Sequence, residues 1–172
     1  LIIIDQVTKY WARTVLKTDG SISIIPGVLK LQYHENTGAV WGIMTGKTGF
    51  LSVITVILSV ILVFLYFKIP KKRKYLPIQI IWIFIMAGAV GNFIDRISLK
   101  YVVDFIYFEL INFPLFNFAD SCLVVSCIAL FILTLFYYKD EDLMFMYGIF
   151  GKNKEARKQA DDDNGGKDDE RR

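Results

Sequence analysis

Residues 49–67 read GFLSVITVILSVILVFLYF, a run without a single charged side chain. A helix of about 20 such residues crosses the roughly 30 Å hydrocarbon layer of a membrane. A soluble domain would instead alternate apolar and polar positions to cover one core. The run therefore predicts a membrane-spanning helix and indicates that lipid is the solvent for much of this chain.

Three more stretches of the chain have the same apolar character. We predict four membrane spans, at about residues 1–16, 49–67, 76–94 and 117–138. Because the sequence opens on apolar residues without a methionine, we expect the first span to begin upstream of Leu1. The predicted fold class is an all-α integral membrane protein whose membrane domain covers residues 1–138.

The densest group of basic residues, KIPKKRK at positions 68–74, lies between the second and third spans. Short loops rich in Lys and Arg stay on the cytoplasmic side of a membrane, so this loop is expected to face inward. Alternation then places both chain ends in the cytoplasm and residues 18–48 and 95–116 outside. Every motif discussed below, except the one near the start of the chain, is therefore expected at or near the outer membrane surface.

Two segments outside the spans differ in composition. Residues 18–48 contain two stretches of β-forming residues on either side of Pro26-Gly27, which predicts a small extracytoplasmic β-cradle. Residues 139–172 are charged, and from Lys152 onward they have few apolar side chains to bury. We predict a disordered cytoplasmic tail for this last segment.

Composition argues against several classes of function. The net charge is only +3 and the basic residues do not alternate with stacking aromatic residues, so a nucleic-acid partner has no support. His34 is the only histidine, and it has no companion that would complete a zinc site or a Ser–His or Cys–His nucleophile. We therefore predict neither a metal nor a cofactor.

Polar residues within apolar spans need an explanation, because a charged side chain at the centre of a membrane helix costs roughly 2.5–3.5 kcal/mol. Asp5 and Lys9 are four residues apart and can pair on one face of a helix. We interpret them as a structural ion pair in preference to a direct role in chemistry. On the third span, Gly88 and Gly91 would let a neighbouring backbone come close.

Two more motifs place amides and charges near the outer surface. The segment NTGAVWG, which begins at Asn36, is either an ordinary turn or a site where Asn36 and Gly38 grip the main chain of an extended peptide. On the third span, Asn92, Asp95 and Arg96 share one helical face. They form either a binding site or a solvated interfacial ion pair, and the sequence leaves both interpretations open.

Two carboxylates stand alone among apolar residues. Asp104 lies in YVVDFI after the third span, and Asp120 lies in FNFADS at the entrance of the fourth, three residues after Asn117. Paired carboxylates can hydrolyse a peptide bond, because one that is ionised takes a proton from water while the other, protonated, polarises the scissile carbonyl. A helix N-terminus favours a negative charge, so we choose Asp120 as the ionised member.

These five motifs, in this order, resemble signal peptidase II, the lipoprotein signal peptidase family. The matching blocks are DQVTK, NTGA, GNFIDR, YVVDF and FNFAD, and the resemblance covers nearly all of residues 5–138. It implies a four-helix enzyme of the bacterial plasma (inner) membrane. The implied reaction removes the signal peptide from prolipoproteins just before a cysteine that already carries diacylglycerol.

Carried over motif by motif, the resemblance makes Asp104 and Asp120 the catalytic dyad of an aspartic endopeptidase. It assigns the positioning of the substrate and the dyad to five residues: Asn36, Gly38, Asn92, Arg96 and Asn117. It assigns a supporting role to three others: Asp5, Lys9 and Asp95. The expected partners are a diacylglyceryl-prolipoprotein and membrane lipid, and we expect a monomer.

Two departures from the family and two alternative functions remain. Trp41 stands where the family usually has a smaller aromatic residue, and the tail beyond Lys139 is longer than the resemblance explains. A small ion-coupled transporter would also carry acids in its membrane helices, although such carriers often have two related halves and this chain has no visible repeat. A non-enzymatic membrane assembly factor would need neither Asp104 nor Asp120.

Overall fold

The computed structural model describes residues 1–38, 46–139 and 142–143. Within these ranges the chain is mainly helical and carries one three-stranded antiparallel sheet. The elements, in chain order, are α1 (Ile2–Trp11), a π-helical turn (Ala12–Leu16), α2 (Lys17–Asp19), β1 (Ile22–Ile25), β2 (Leu29–Asn36), α3 (Thr48–Lys68), α4 (Leu76–Ser98), β3 (Val102–Phe108) and α5 (Phe118–Phe136). Short 3-10 turns at Arg73–Tyr75 and Glu109–Ile111 precede α4 and follow β3.

Among the described residues, three helices are long and apolar enough to cross a membrane. They are Thr48–Lys68, Arg73–Ser98 and Phe118–Phe136, which correspond to the second, third and fourth predicted spans. The helical stretch over residues 2–19 is not one of the three, so the first span stays a prediction. Helix α4 continues to Ser98, past the predicted end of its span at Ile94. Its last polar residues therefore lie beyond the apolar segment but still within the helix.

The sheet has the strand order β1-β2-β3. Strands β1 and β2 flank Pro26-Gly27 as predicted. Gly27 has a positive φ of +71°, which glycine adopts readily because it lacks a Cβ atom. Strand β3 was not predicted, because its residues from Val102 to Phe105 are all buried and the segment lacks the alternation of a strand with one wet face. The sheet therefore combines residues from both segments that were predicted to lie outside the membrane.

Two hydrophobic clusters stabilise opposite ends of the molecule. One joins the first helical stretch to β3 and consists of Ala12, Leu16, Val103 and Phe105. The other lies at the C-terminal ends of α3 and α5 and the N-terminal end of α4, and it consists of Ile69, Tyr75, Ile78 and Tyr138. The first cluster fixes the sheet against the helices and thereby positions the polar residues described below.

Helices α4 and α5 pack closely, as the glycines of the third predicted span suggested. A Cβ atom on Gly88 would lie 2.6 Å from the main-chain oxygen of Ala119 on α5. Only glycine permits this approach, because real Cβ atoms do not come so near to backbone oxygen.

Two of the sequence predictions concern residues that the structure does not describe: Trp41 and most of the predicted tail, residues 144–172, lie outside the described residues.

Candidate active site

Lys9 lies at the base of a buried polar cluster between α1 and α4. Its side chain is only 2% exposed, and its Nζ lies 2.9 Å from Asp5 Oδ2 and 3.2 Å from Asp95 Oδ2. The third partner is Asn92 Oδ1 at 2.9 Å, so all three ammonium protons have an acceptor. The predicted Asp5–Lys9 ion pair is present. Asp95 is buried against it, so the interpretation of Asp95 and Arg96 as a solvated pair is wrong.

Asp5 also ties α1 to the start of α5. Its Oδ1 accepts a hydrogen bond from the main-chain N–H of Ala119 at 2.9 Å. The Oδ2 lies close to α4, where a Cβ atom on Gly91 would come within 2.5 Å of it. The motif near the start of the chain therefore shares one cluster with the others, and its expected separation from them is wrong. Contacts between helices, invisible in the sequence, bring it there.

Gln6 is a member of this cluster that sequence reasoning did not single out. Its Nε2 donates to Asp5 Oδ2 at 3.1 Å, to the main-chain oxygen of Gly91 at 3.2 Å and to Asp95 Oδ1 at 3.2 Å. A signal was available, because an amide next to an acid in an apolar helix also needs a partner. Gln6 helps to hold the two carboxylates beside Lys9.

The cation at the base dictates how the next amide is oriented. An ammonium group can only donate, so Asn92 must turn its Oδ1 toward Lys9 and its Nδ2 the other way. That Nδ2 donates to Asp120 Oδ1 at 2.7 Å. The Asn92 Oδ1 accepts a second bond, from Asn117 Nδ2 at 3.1 Å. Lys9 thus fixes the orientation of Asn92, which donates to Asp120 and accepts from Asn117.

Asn117 joins the two predicted catalytic carboxyl groups. It caps the N-terminus of α5 in a capping box: its Oδ1 accepts from the N–H of Asp120 at 3.0 Å, and its own N–H donates to Asp120 Oδ2 at 3.2 Å. Its Nδ2 also donates to Asp104 Oδ1 at 2.7 Å. Asn117 is fully buried, so these contacts hold it in one orientation. The spacing Asn-x-x-Asp was the sequence signal for this cap.

Asp104 reaches the cluster from the sheet. In the antiparallel pairing of β2 and β3, His34 lies opposite Asp104 and Asn36 opposite Val102. Asn36 is therefore a diagonal neighbour of Asp104 on the same sheet face. Its Nδ2 donates to Asp104 Oδ2 at 2.8 Å, while its Oδ1 accepts from the N–H of Gly38 at 2.9 Å. Amides from β2 and α5 thus hold both oxygens of Asp104.

The two carboxyl groups have different surroundings. Asp104 is 1% exposed, whereas Asp120 is partly exposed at the start of α5. Burial raises the pKa of Asp104 from 3.8 to about 7, and the nearby negative charge of Asp120 acts in the same direction. The amides of Asn36 and Asn117 partly oppose this rise because they bind the ionised form. At neutral pH the buried carboxyl can therefore hold a proton.

Similarity to known proteins identifies the family of this chain. The sequence profile of the signal peptidase II family matches residues 1–136. The chain belongs to the signal peptidase II family. The resemblance drawn from the five motifs is thereby confirmed.

Individual members of the signal peptidase II family show how far the similarity extends. The lipoprotein signal peptidase of Enterococcus faecalis is 44% identical over 132 residues, which cover 77% of this chain and 81% of that protein. The lipoprotein signal peptidase of Staphylococcus aureus is 42% identical over 134 residues, with the same shares covered. Most of each relative is therefore represented here.

Two solved structures, both described as bacterial membrane enzymes studied by the in meso method, have a similar fold. One, at 2.3 Å resolution, gives a TM-score of 0.70 with 43% identity and covers 78% of this chain and 82% of its own. The other, at 1.9 Å, gives a TM-score of 0.68 with 42% identity and covers 80% of this chain and 88% of its own. Both of these membrane enzymes therefore share the helical fold of this chain.

Arg96 differs from the other predicted site residues of this signal peptidase II family member. It is half-buried at the end of α4, and its charge is attracted by Asp120, Asp104 and Asp95. Within the described ranges, its buried Nε makes no hydrogen bond. The remaining predicted residues all take part in the contacts described above, so Arg96 is the one donor that these contacts leave available.

Proposed function

We propose that this chain is a membrane aspartic endopeptidase that removes signal peptides from bacterial prolipoproteins on the N-terminal side of a diacylglyceryl-modified cysteine. Membership of the signal peptidase II family, with relatives named lipoprotein signal peptidases, supports the reaction and the substrate class. The catalytic assignment rests on one observation: Asn117 contacts Asp104 and Asp120 at the same time.

The surroundings of the two carboxyl groups support different roles. Asp120 is partly exposed at a helix N-terminus, and we assign it as the base that takes a proton from water. Asp104, with its raised pKa, is the acid that donates a proton to the scissile carbonyl oxygen as the water oxygen attacks the carbonyl carbon. Asp120 then gives its proton to the departing amine, and Asp104 recovers its own as the carbonyl re-forms.

The other polar residues would orient the reactants. Asn36, Asn92 and Asn117 hold the carboxyl groups of the dyad directly, which supports a positioning role. Gly38, whose N–H holds Asn36, and Arg96, whose Nε is a buried donor, are our candidates for contact with the substrate main chain. A second layer supports this arrangement and consists of Asp5, Lys9 and Asp95.

We propose the membrane topology on the basis of the two ends of α4. The basic loop at residues 68–74 precedes this helix, and the candidate site lies at its far end. The loop would face the cytoplasm and the site the outer surface. This arrangement needs a fourth span at about residues 1–16, within a membrane domain of residues 1–138, and puts both termini and the tail, residues 139–172, in the cytoplasm. We further propose that the protein acts as a monomer without metal or cofactor.

The test is cleavage of a diacylglyceryl-modified prolipoprotein by the purified protein and by Asp104→Asn and Asp120→Asn. Each substitution keeps the shape of the side chain and removes the titrating group, so each should lower kcat by about 10²–10⁴-fold. Asp19→Asn removes an exposed acid outside the site and should leave the rate unchanged.

The outcomes separate the alternatives. Normal cleavage by either dyad variant would show that the catalytic assignment is wrong. If the unmodified chain does not cut under conditions in which the Staphylococcus aureus relative does, the transporter and assembly-factor alternatives would gain support.

A further inference from the structure

The loop between α3 and α4 forms a cavity at one end of the membrane helices. Its volume is about 300 Å³, and it lies between the last turn of one candidate span and the first turn of the next. Three of its lining side chains are exposed cations, Lys71, Lys72 and Arg73. The rest of the lining is apolar or uncharged and consists of Tyr66, Ile69, Leu76 and Gln79.

This loop is anchored at both of its ends. Ile69 is 4% exposed and Tyr75 is 8% exposed, and both belong to one hydrophobic cluster. Tyr75 stacks on Tyr138 with ring centroids 5.8 Å apart, and Gln79 Nε2 donates to the main-chain oxygen of Pro70 at 3.1 Å. The cations therefore project from a fixed turn, and binding an anion there does not require the loop to be ordered first.

Only one cation of the cluster is neutralised by an acid among the described residues. Lys74 pairs with Asp142 at 2.6 Å, and it does not line the cavity. The three cations that do line it form no ion pair within the described ranges. The cavity therefore has a local excess of positive charge directly beside the lipid-facing ends of two helices.

We propose that this cavity binds the anionic headgroup of a membrane phospholipid. The phosphate would lie among Lys71, Lys72 and Arg73, and the glycerol and first acyl carbons against Leu76 and Tyr66. A basic pocket between helix ends is the environment in which anionic headgroups bind, with each nearby cation strengthening the association about fivefold. A free phosphate would use the charges but not the apolar wall, so the lining fits a lipid better.

The experiment measures the exchange of phosphatidylglycerol and phosphatidylcholine on the purified full chain in mixed micelles, by native mass spectrometry. The unmodified protein should retain phosphatidylglycerol preferentially. Replacing Lys71, Lys72 and Arg73 together by Gln should abolish that preference, and Lys72→Gln alone should reduce it about fivefold. The adjacent substitution Lys74→Gln removes the same charge outside the cavity and should leave the preference intact. All four side chains are exposed, so the variants should fold.

Three results would overturn the proposal. Equal losses in Lys72→Gln and Lys74→Gln would mean diffuse attraction to the membrane surface without a defined site. Equal retention of both lipids by the unmodified protein would mean that no headgroup selectivity exists. Full displacement of phosphatidylglycerol by millimolar glycerol 3-phosphate would mean that the cavity binds a soluble phosphate.

Discussion

The two ends of α4 treat polar side chains in opposite ways. At the far end, Asn92 and Asp95 are buried, and each hydrogen bonds to groups on other elements. At the near end, Lys71 and Lys72 are exposed and line an open cavity. Buried polar groups need a partner at every position, so they hold one arrangement, while exposed cations remain able to exchange ligands. The comparison separates a site whose polar groups are occupied by one another from a surface whose cations remain open to ligands.

The largest expected difference between the two ends follows from removing one lysine at each. Lys9→Met leaves Asp5 and Asp95 buried without their cation, which should lower the free energy of unfolding by about 3–5 kcal/mol. Lys74→Met breaks an ion pair whose lysine side chain is 48% exposed. Water replaces the lost partner there, so the free energy of unfolding should hardly change. Chemical unfolding in detergent measures both, and similar losses would contradict the comparison.

A smaller effect should come from the close packing around Asp5. In Gly91→Ala the new methyl group would lie 2.5 Å from Asp5 Oδ2, so the ion-pair cluster must shift, at a cost of about 1–3 kcal/mol. Gly49→Ala is the matched control, because a Cβ atom there meets nothing within 4 Å. Thermal unfolding of both variants tests this, and an unchanged midpoint for Gly91→Ala would show that Asp5 is not held tightly.

The pH dependence of cleavage should report the buried carboxyl. Because the pKa of Asp104 is about 7, cleavage should fall about fivefold between pH 7 and pH 8 as the general acid loses its proton. Asn36→Ala removes a donor to the ionised form, so the pKa should rise and this limb should move to higher pH. Gln32→Ala, an exposed amide on the same strand, is the control and should leave the profile in place.

The same pKa has a consequence for stability, with the opposite sign to that of an ordinary ion-paired acid. Folded Asp104 holds its proton more tightly than the value of 3.8 in the unfolded chain. Its contribution to stability is therefore complete below pH 3.8 and is lost as the pH rises toward about 7. Cleavage that does not fall as the pH rises above 7 would contradict the assignment of Asp104 as the acid.

Much of the candidate site could be predicted from single residues and short spacings. Asp104 and Asp120 stood out because each is an isolated acid among apolar neighbours, and Asp5 and Lys9 because they are four residues apart. The role of Gln6 and the third strand were missed. The segment from Val102 to Phe105 is buried on both faces, so it lacks the periodicity that marks a strand.

The sequence by itself predicted lipid as the solvent, the three helices that are long and apolar enough to cross a membrane, and the two candidate catalytic acids, because hydropathy and isolated charge are local properties of a chain. Only the tertiary structure decided which polar groups meet. Lys9 and Asn92 are 83 residues apart, and Asn36 and Asp104 are 68 apart. Lys9, which can only donate, fixes the orientation of Asn92, and the N–H of Gly38 fixes the orientation of Asn36. Which polar groups meet depends on contacts between α1, α4 and α5, and no local sequence pattern contains these contacts.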